Sequence, residues 1–218
     1  MTHSAHPAYL LARLNAKNVR FDVGSGGQAE LTPQDIAASI AFVPAGLGRE
    51  LMCRIWWPDG ARLTGRELDA QLVGIQFGEF RERMDRMVTA QLRHATARND
   101  IDRRRAQNAI EAAREAMWPS IDGTYDLIRR AVVNELIDPR TCPDCSGRGH
   151  VSKNSLVSMC SRCSGGGRIR RGPTWRAAQL HMKHSSYLQT WQLPYEWMFA
   201  TCSDAIHMAV REMREAVS

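Results

Sequence analysis

The chain has 218 residues, 44% of them hydrophobic and 24% charged, with a formal net charge of +6. That balance suits a globular chain of one fair-sized domain or two small ones. No apolar run reaches the ~20 residues of a membrane helix, and Met1 to Leu14 lacks a signal-peptide pattern, so the protein is expected to stay where it is made.

Residues 1–30 end in Gly24-Ser25-Gly26-Gly27 and read as a flexible arm. Residues 31–120 read as a helical region. Thr32-Pro33 opens its first helix as N-cap and first turn, with Ile36, Ile40 and Val43 on the buried side. Pro44 to Gly48 breaks it, and a short helix follows from about Arg49 to Trp56. After the Trp57-Pro58-Asp59-Gly60 turn, Thr64-x-x-Glu67 is a capping box. The helix it starts carries Leu68, Leu72, Ile75, Phe77, Phe80, Met84, Met87 and Leu92 as an apolar stripe. Glu79, Arg81, Glu82, Arg83, Asp85 and Arg86 form the face expected to meet solvent. Gly74 and Gly78 weaken this helix. Arg103-Arg104-Arg105 is a short basic cluster, and a further helix runs to Trp118, where Pro119 stops it.

Residues 121–218 hold the most specific pattern. Tyr125–Ile137 reads as an amphipathic helix ended by Asp138-Pro139. Then Cys142-Pro143-Asp144-Cys145-Ser146-Gly147-Arg148-Gly149 and Cys160-Ser161-Arg162-Cys163-Ser164-Gly165-Gly166-Gly167 write C-x-x-C-x-G-x-G twice. Two thiolates two residues apart grip an ion from one turn, and two such turns supply four sulfurs. The glycines let the chain turn back beneath them. Cys142, Cys145, Cys160 and Cys163 are therefore expected to hold one structural zinc in a module spanning 140–172. Four thiolates leave no open position for catalytic water. The competing readings are reactive dithiols or a disulfide pair. Cys53 and Cys202 read as small buried hydrophobes. The spacer Val151–Met159 suits a hairpin turning near Lys153-Asn154-Ser155.

Residues 140–176 carry eight basic side chains against Asp144 alone, while the rest of the chain nearly balances. Such focused charge suggests a polyanion, most often nucleic acid; a zinc module that merely happens to be basic is the bland alternative. A helix from about Trp175 to His184 follows, with Thr174, Arg176, Gln179 and Lys183 able to meet phosphates and base edges. Trp175 could equally be core. The last helix, from about Tyr195 to Ala216, shows Phe199, Cys202, Ile206, Val210, Met213 and Val217 on one docking face. No triad, P-loop, dinucleotide fingerprint or carboxylate pair is present, so a binding protein rather than an enzyme is expected.

The doubled motif also occurs in DnaJ-type chaperones, but four times over and beside a His-Pro-Asp signature that this chain lacks. The closer resemblance is to the lambdoid phage Q family of late-gene antiterminators. Asp35-Ile36-Ala37-Ala38, then Ala45-Gly46-Leu47-Gly48 and Cys53, resemble that family's N-terminal half, and Thr190-Trp191 resembles a Thr-Trp pair ahead of its last helix. The resemblance extends over roughly residues 32–210, and the knuckles are its specific part. It implies a mainly α-helical protein in the bacterial cytoplasm. The zinc-knuckle hairpin would interrupt a helix-turn-helix-like unit, with Tyr125–Ile137 as supporting helix and Trp175–His184 as reading helix. It implies binding of double-stranded DNA near a late promoter and engagement of RNA polymerase through its beta flap and sigma factor. On this reading Lys153, Arg168, Arg170 and Arg171 meet phosphates, with Thr174 at the helix start, and Arg176, Gln179 and Lys183 form the reading face. A chaperone-like or protein-interaction module and a zinc-stapled nucleic-acid enzyme are the alternatives.

Overall fold

The computed structural model describes Leu11, residues 33–153 and residues 156–216. The expected arm, the Thr32 cap, the hairpin turn at Asn154-Ser155 and Val217 lie outside the described residues, as do the side chains of Ile36 and Lys153. The fold is mainly helical. In chain order it has α1 (Pro33–Phe42), α2 (Leu47–Trp56), a 3₁₀ turn (Pro58–Gly60), α3 (Gly65–Thr96), α4 (Asp100–Glu115) and α5 (Thr124–Ile137). Strands β1 (Arg140–Thr141), β2 (His150–Lys153), β3 (Leu156–Met159) and β4 (Arg168–Ile169) come next, then α6 (Pro173–Gln179). A single turn α7 (His184–Ser186), a π turn (Tyr187–Trp191) and α8 (Gln192–Ala216) complete it.

The chain divides into two compact units. One takes Met1–Leu68 with Phe199–Ser218, the other Asp69–Met198. The expected junction at 120–121 falls inside the second unit.

In the first unit, Leu51, Met52, Cys53, Cys202, Ile206, Val210 and Met213 are buried. Gly48 is required there, because a Cβ would stand 2.1 Å from the Ala205 carbonyl oxygen. Burial pushes the Cys202 thiol up to about 12 and raises that of Cys53, so both stay protonated apolar fillers. Glu50 is buried because its carboxylate accepts from the Arg54 Nε and the Arg62 backbone N–H, both at 2.9 Å. The capping box forms as expected: Thr64 N–H donates to Glu67 at 2.7 Å and Glu67 N–H to Thr64 Oγ1 at 3.2 Å.

In the second unit the facing of α3 is corrected in part: Arg81, Glu82, Asp85 and Arg86 are exposed as expected, but Arg83 is not. Leu72, Gln76, Arg83 and Ala90 are buried, while Phe77, Met84 and Leu92 are exposed. Arg83 goes inside because its charge finds partners there. It pairs with Glu79 at 2.7 Å, donates to the Ala116 carbonyl and lies 4.6 Å from the centroid of the Trp118 ring. Arg129 of α5 is buried for the same reason, donating to Asp69 at 2.8 Å and Gln76 at 2.7 Å and pairing with Asp126. Edge-to-face contacts of Trp118 with Trp197 (5.1 Å) and of Tyr125 with Trp191 (5.3 Å) add an aromatic core.

The last helix starts at Gln192, ahead of the expected Tyr195, so Pro194 does not break the chain. The helical run continues through it, preceded by the π turn. A proline in a helix removes one N–H and crowds the carbonyl four residues back, and a widened turn relieves both problems.

Candidate metal centre and its basic surround

Each knuckle is built by the same backbone path. Ser146 and Ser164 adopt φ of 50° and 48°, Gly147 and Gly165 both 84°, and Gly149 and Gly167 78° and 69°. This run of left-handed residues curls the backbone so that its N–H groups point back at sulfur. Gly149 N–H donates to Cys145 Sγ at 3.3 Å and Gly167 N–H to Cys163 Sγ at 3.2 Å. The knuckles also interlock. A Cβ on Gly149 would stand 2.2 Å from the Gly165 oxygen, and one on Gly167 would stand 2.3 Å from the Gly147 oxygen. Two backbone bonds of 2.9 Å, Cys142 N–H to Gly167 and Cys160 N–H to Gly149, tie one knuckle to the other. The β1–β4 pair (Arg140 opposite Ile169) closes the base of the module, and β2–β3 (His150 opposite Met159) extends from it.

The four sulfurs converge within 4.8 Å of one another, with Cys142 to Cys160 at 3.9 Å and Cys145 to Cys163 at 3.7 Å. An S–S bond is ~2.05 Å long, so these cysteines are not disulfides here. A tetrahedral ion with ~2.3 Å bonds to sulfur needs edges of ~3.8 Å, which the site provides. The donor set therefore fits one metal ion. Burial alone would raise the Cys145 thiol. Hydrogen bonds to its sulfur, first from the Gly149 N–H, outweigh that and bring it down to about 7. Cys163 moves the other way, pushed up to about 11 by burial and by its neighbouring thiols. Metal ions bind thiolates, so an ion in this site would take the place of the thiol protons.

The expected DNA residues divide. Arg168, Arg170, Thr174 and Lys183 are exposed, and Gln179 is half-buried. Arg170 pairs with Glu196 at 2.5 Å. Arg171 is largely covered. It donates to Asp138 at 2.8 Å and its guanidinium lies 5.3 Å from the Trp175 ring, which leaves it less available to a phosphate than expected. Arg176 is corrected outright. It is 3% exposed, its Nε and Nη2 donate to Glu135 at 2.9 and 2.7 Å, and it pairs with Glu196. Burial alone would lower its pKa, but Glu135 more than offsets this and keeps it charged. A guanidinium so engaged cannot also reach a base edge. The reading helix is also shorter than expected. His181 takes φ 54°, and the His181 and Met182 N–H groups donate back to Ala178 and Ala177 at 3.1 Å, a Schellman stop. Lys183 therefore lies beyond α6 and does not continue its face.

Glu135 is the residue that sequence reasoning missed. It is 1% exposed and accepts from Arg176, from Tyr195 Oη at 2.8 Å and from the Arg171 N–H at 2.9 Å. It thus joins α5, α6 and α8 to the chain leaving the cysteine module. One signal was present: Glu135 continues the Ile128, Ala131, Val132 spacing, and a carboxylate on an apolar stripe implies a buried partner.

Compared with known proteins, the chain matches no family model, no curated sequence and no solved structure. What the fold and site define is a mainly helical protein with a four-cysteine centre able to hold one metal ion.

Proposed function

We propose that the protein is a zinc-stapled DNA-binding factor acting as a Q-type late-gene antiterminator. It binds near a late promoter, joins RNA polymerase at the beta flap and sigma factor, and lets it read through terminators. The observation that carries the DNA reading is the four-thiolate centre set beside exposed Arg140, Arg148, Arg168 and Arg170. Zinc is the natural occupant of four sulfurs at tetrahedral spacing. The step to antitermination rests on the doubled knuckle and its flanking helices. With Arg176 committed to Glu135 and Lys183 beyond the helix, base contact on α6 falls to Gln179, and Thr174 meets phosphate at its start.

Transcription past a terminator, with and without the protein, tests the whole reading, and unchanged readthrough would overturn it. DNA binding is tested separately on specific and scrambled duplexes over a salt series. Arg168→Ala should weaken binding to both and flatten the salt slope by ~1. Gln179→Ala should relax preference at one position by ~1–3 kcal/mol. A protein-interaction reading draws on Val157 and Met159, 69% and 70% exposed on β3. Salt-independent capture of unfolded polypeptide in place of DNA would favour it.

A further inference from the structure

Among the described residues, one side of α3 is unpartnered. Val73, Phe77, Met84, Val88 and Leu92 are 41 to 60% exposed on a single face, spaced as successive turns of the helix. Side chains of this size present on the order of 400 Å² of apolar surface, a large patch for a lone helix. Gly74 and Gly78 border this face, and apart from the helix's own backbone no described atom lies within 4 Å of where either Cβ would be. Arg81 and Asp85 border it on the same side. Both are exposed, and neither has an ion-pair partner among the described residues.

These features are arranged symmetrically along the helix. Leu92 and Gly74 are equidistant from position 83, and so are Val88 and Gly78, and Asp85 and Arg81. We propose that α3 pairs antiparallel with α3 of a second copy of this chain, about a twofold axis at the level of residue 83. In that register Leu92 of each copy fills the space over Gly74 of the other, and Val88 the space over Gly78. Arg81 of each meets Asp85 of the other. Glycine permits the close approach, and the large side chains supply the buried area. Charge fixes the direction. Residues on one flank of a helix face the same flank of an antiparallel partner, so Arg81 meets Asp85 twice. A parallel pair would not bring these two together. About 800 Å² of apolar area over two copies places the dimer in the weak, concentration-dependent class.

Sedimentation equilibrium of the full chain with zinc supplied tests the pairing, with circular dichroism confirming that each variant folds. The wild type should dimerise reversibly with a Kd of about 1–100 µM. Arg81→Asp and Asp85→Arg should each weaken the dimer by about tenfold or more, because like charges then meet at both ends. The double exchange R81D/D85R should return the Kd to within about threefold of wild type. A monomer at ~200 µM overturns the proposal and leaves the face to a different partner. A dimer unmoved by the single reversals, or one the double exchange fails to restore, overturns it equally, since pairing then runs through another surface.

Discussion

The cysteine centre and the Glu135 node lie in the same compact unit and bury polar chemistry in opposite ways. At Glu135 the chain brings its own counter-charge. A carboxylate meets a guanidinium, a phenol and a backbone N–H, and every group is complementary to the one beside it. At the cysteines the chain brings four weak acids of the same kind together and offers them only N–H groups. The first arrangement is complete as folded. The second, as four thiolates, would be balanced only by an added cation. A site that the chain leaves electrostatically incomplete is a site for a ligand, whereas a charged cluster it has already balanced is scaffold.

That contrast can be broken most forcefully at the metal. Cys160→Ser, or a strong chelator, should remove most of the ~10–16 kcal/mol that structural zinc can supply to a small module. Hydrogen exchange should rise across 140–172 while α5 stays protected. Zinc retained by all four single cysteine variants would refute the assignment. Next in size is Glu135→Gln, which strands part of a buried guanidinium and should cost about 3 kcal/mol by thermal melting, with metal content unchanged. If zinc is lost as well, the two regions are one cooperative unit. Arg176→Ala sharpens the same point: stability should fall while discrimination between DNA sequences holds. Gly149→Ala sets a Cβ against the Gly165 oxygen at a left-handed residue and should cost about 1–3 kcal/mol, read as weaker zinc affinity.

The smallest effect belongs to the capping box, an exposed counterpart to both regions. Thr64→Ala should cost about 1 kcal/mol. The hydrogen bond from the Thr64 N–H holds the Glu67 carboxyl below its usual range. A lowered folded-state pKa means the contribution is present at neutral pH and is lost as pH falls through that value. A small acid-side loss of stability, absent in Glu67→Gln, is the expected signature.

The elements legible in sequence were those whose chemistry is local. The doubled knuckle carries ligands and turn residues within eight positions, and Thr64 with Glu67 completes its bonds inside one helical turn. The helices of the first unit and α5 were likewise read from spacing. What stayed hidden was long-range pairing. Arg176 looks like a surface arginine until Glu135, 41 residues earlier, is set beside it. On α3 most of the charged face meets solvent as expected, yet Glu79 and Trp118 draw Arg83 inside, while Phe77 and Met84 of the apolar stripe turn out. Spacing reveals that a helix has two faces but not which one the rest of the unit will cover.

The π turn ahead of Pro194 also sets phase. It holds one residue more than the α-helical path would need, and each residue in an α-helix advances the side-chain direction by ~100°. Tyr187 at the start of the turn and Tyr195 after it nevertheless meet edge to face at 5.8 Å, both fully buried. Eight residues apart, they would stand ~80° out of line on a regular α-helix, and the widened turn absorbs that difference; deleting one residue from Leu188–Thr190 would leave them seven apart on a straighter helix, within ~20° of the same side. The turn thus takes up a residue in angle rather than in length, and a single deletion in this segment should be tolerated better than a further insertion.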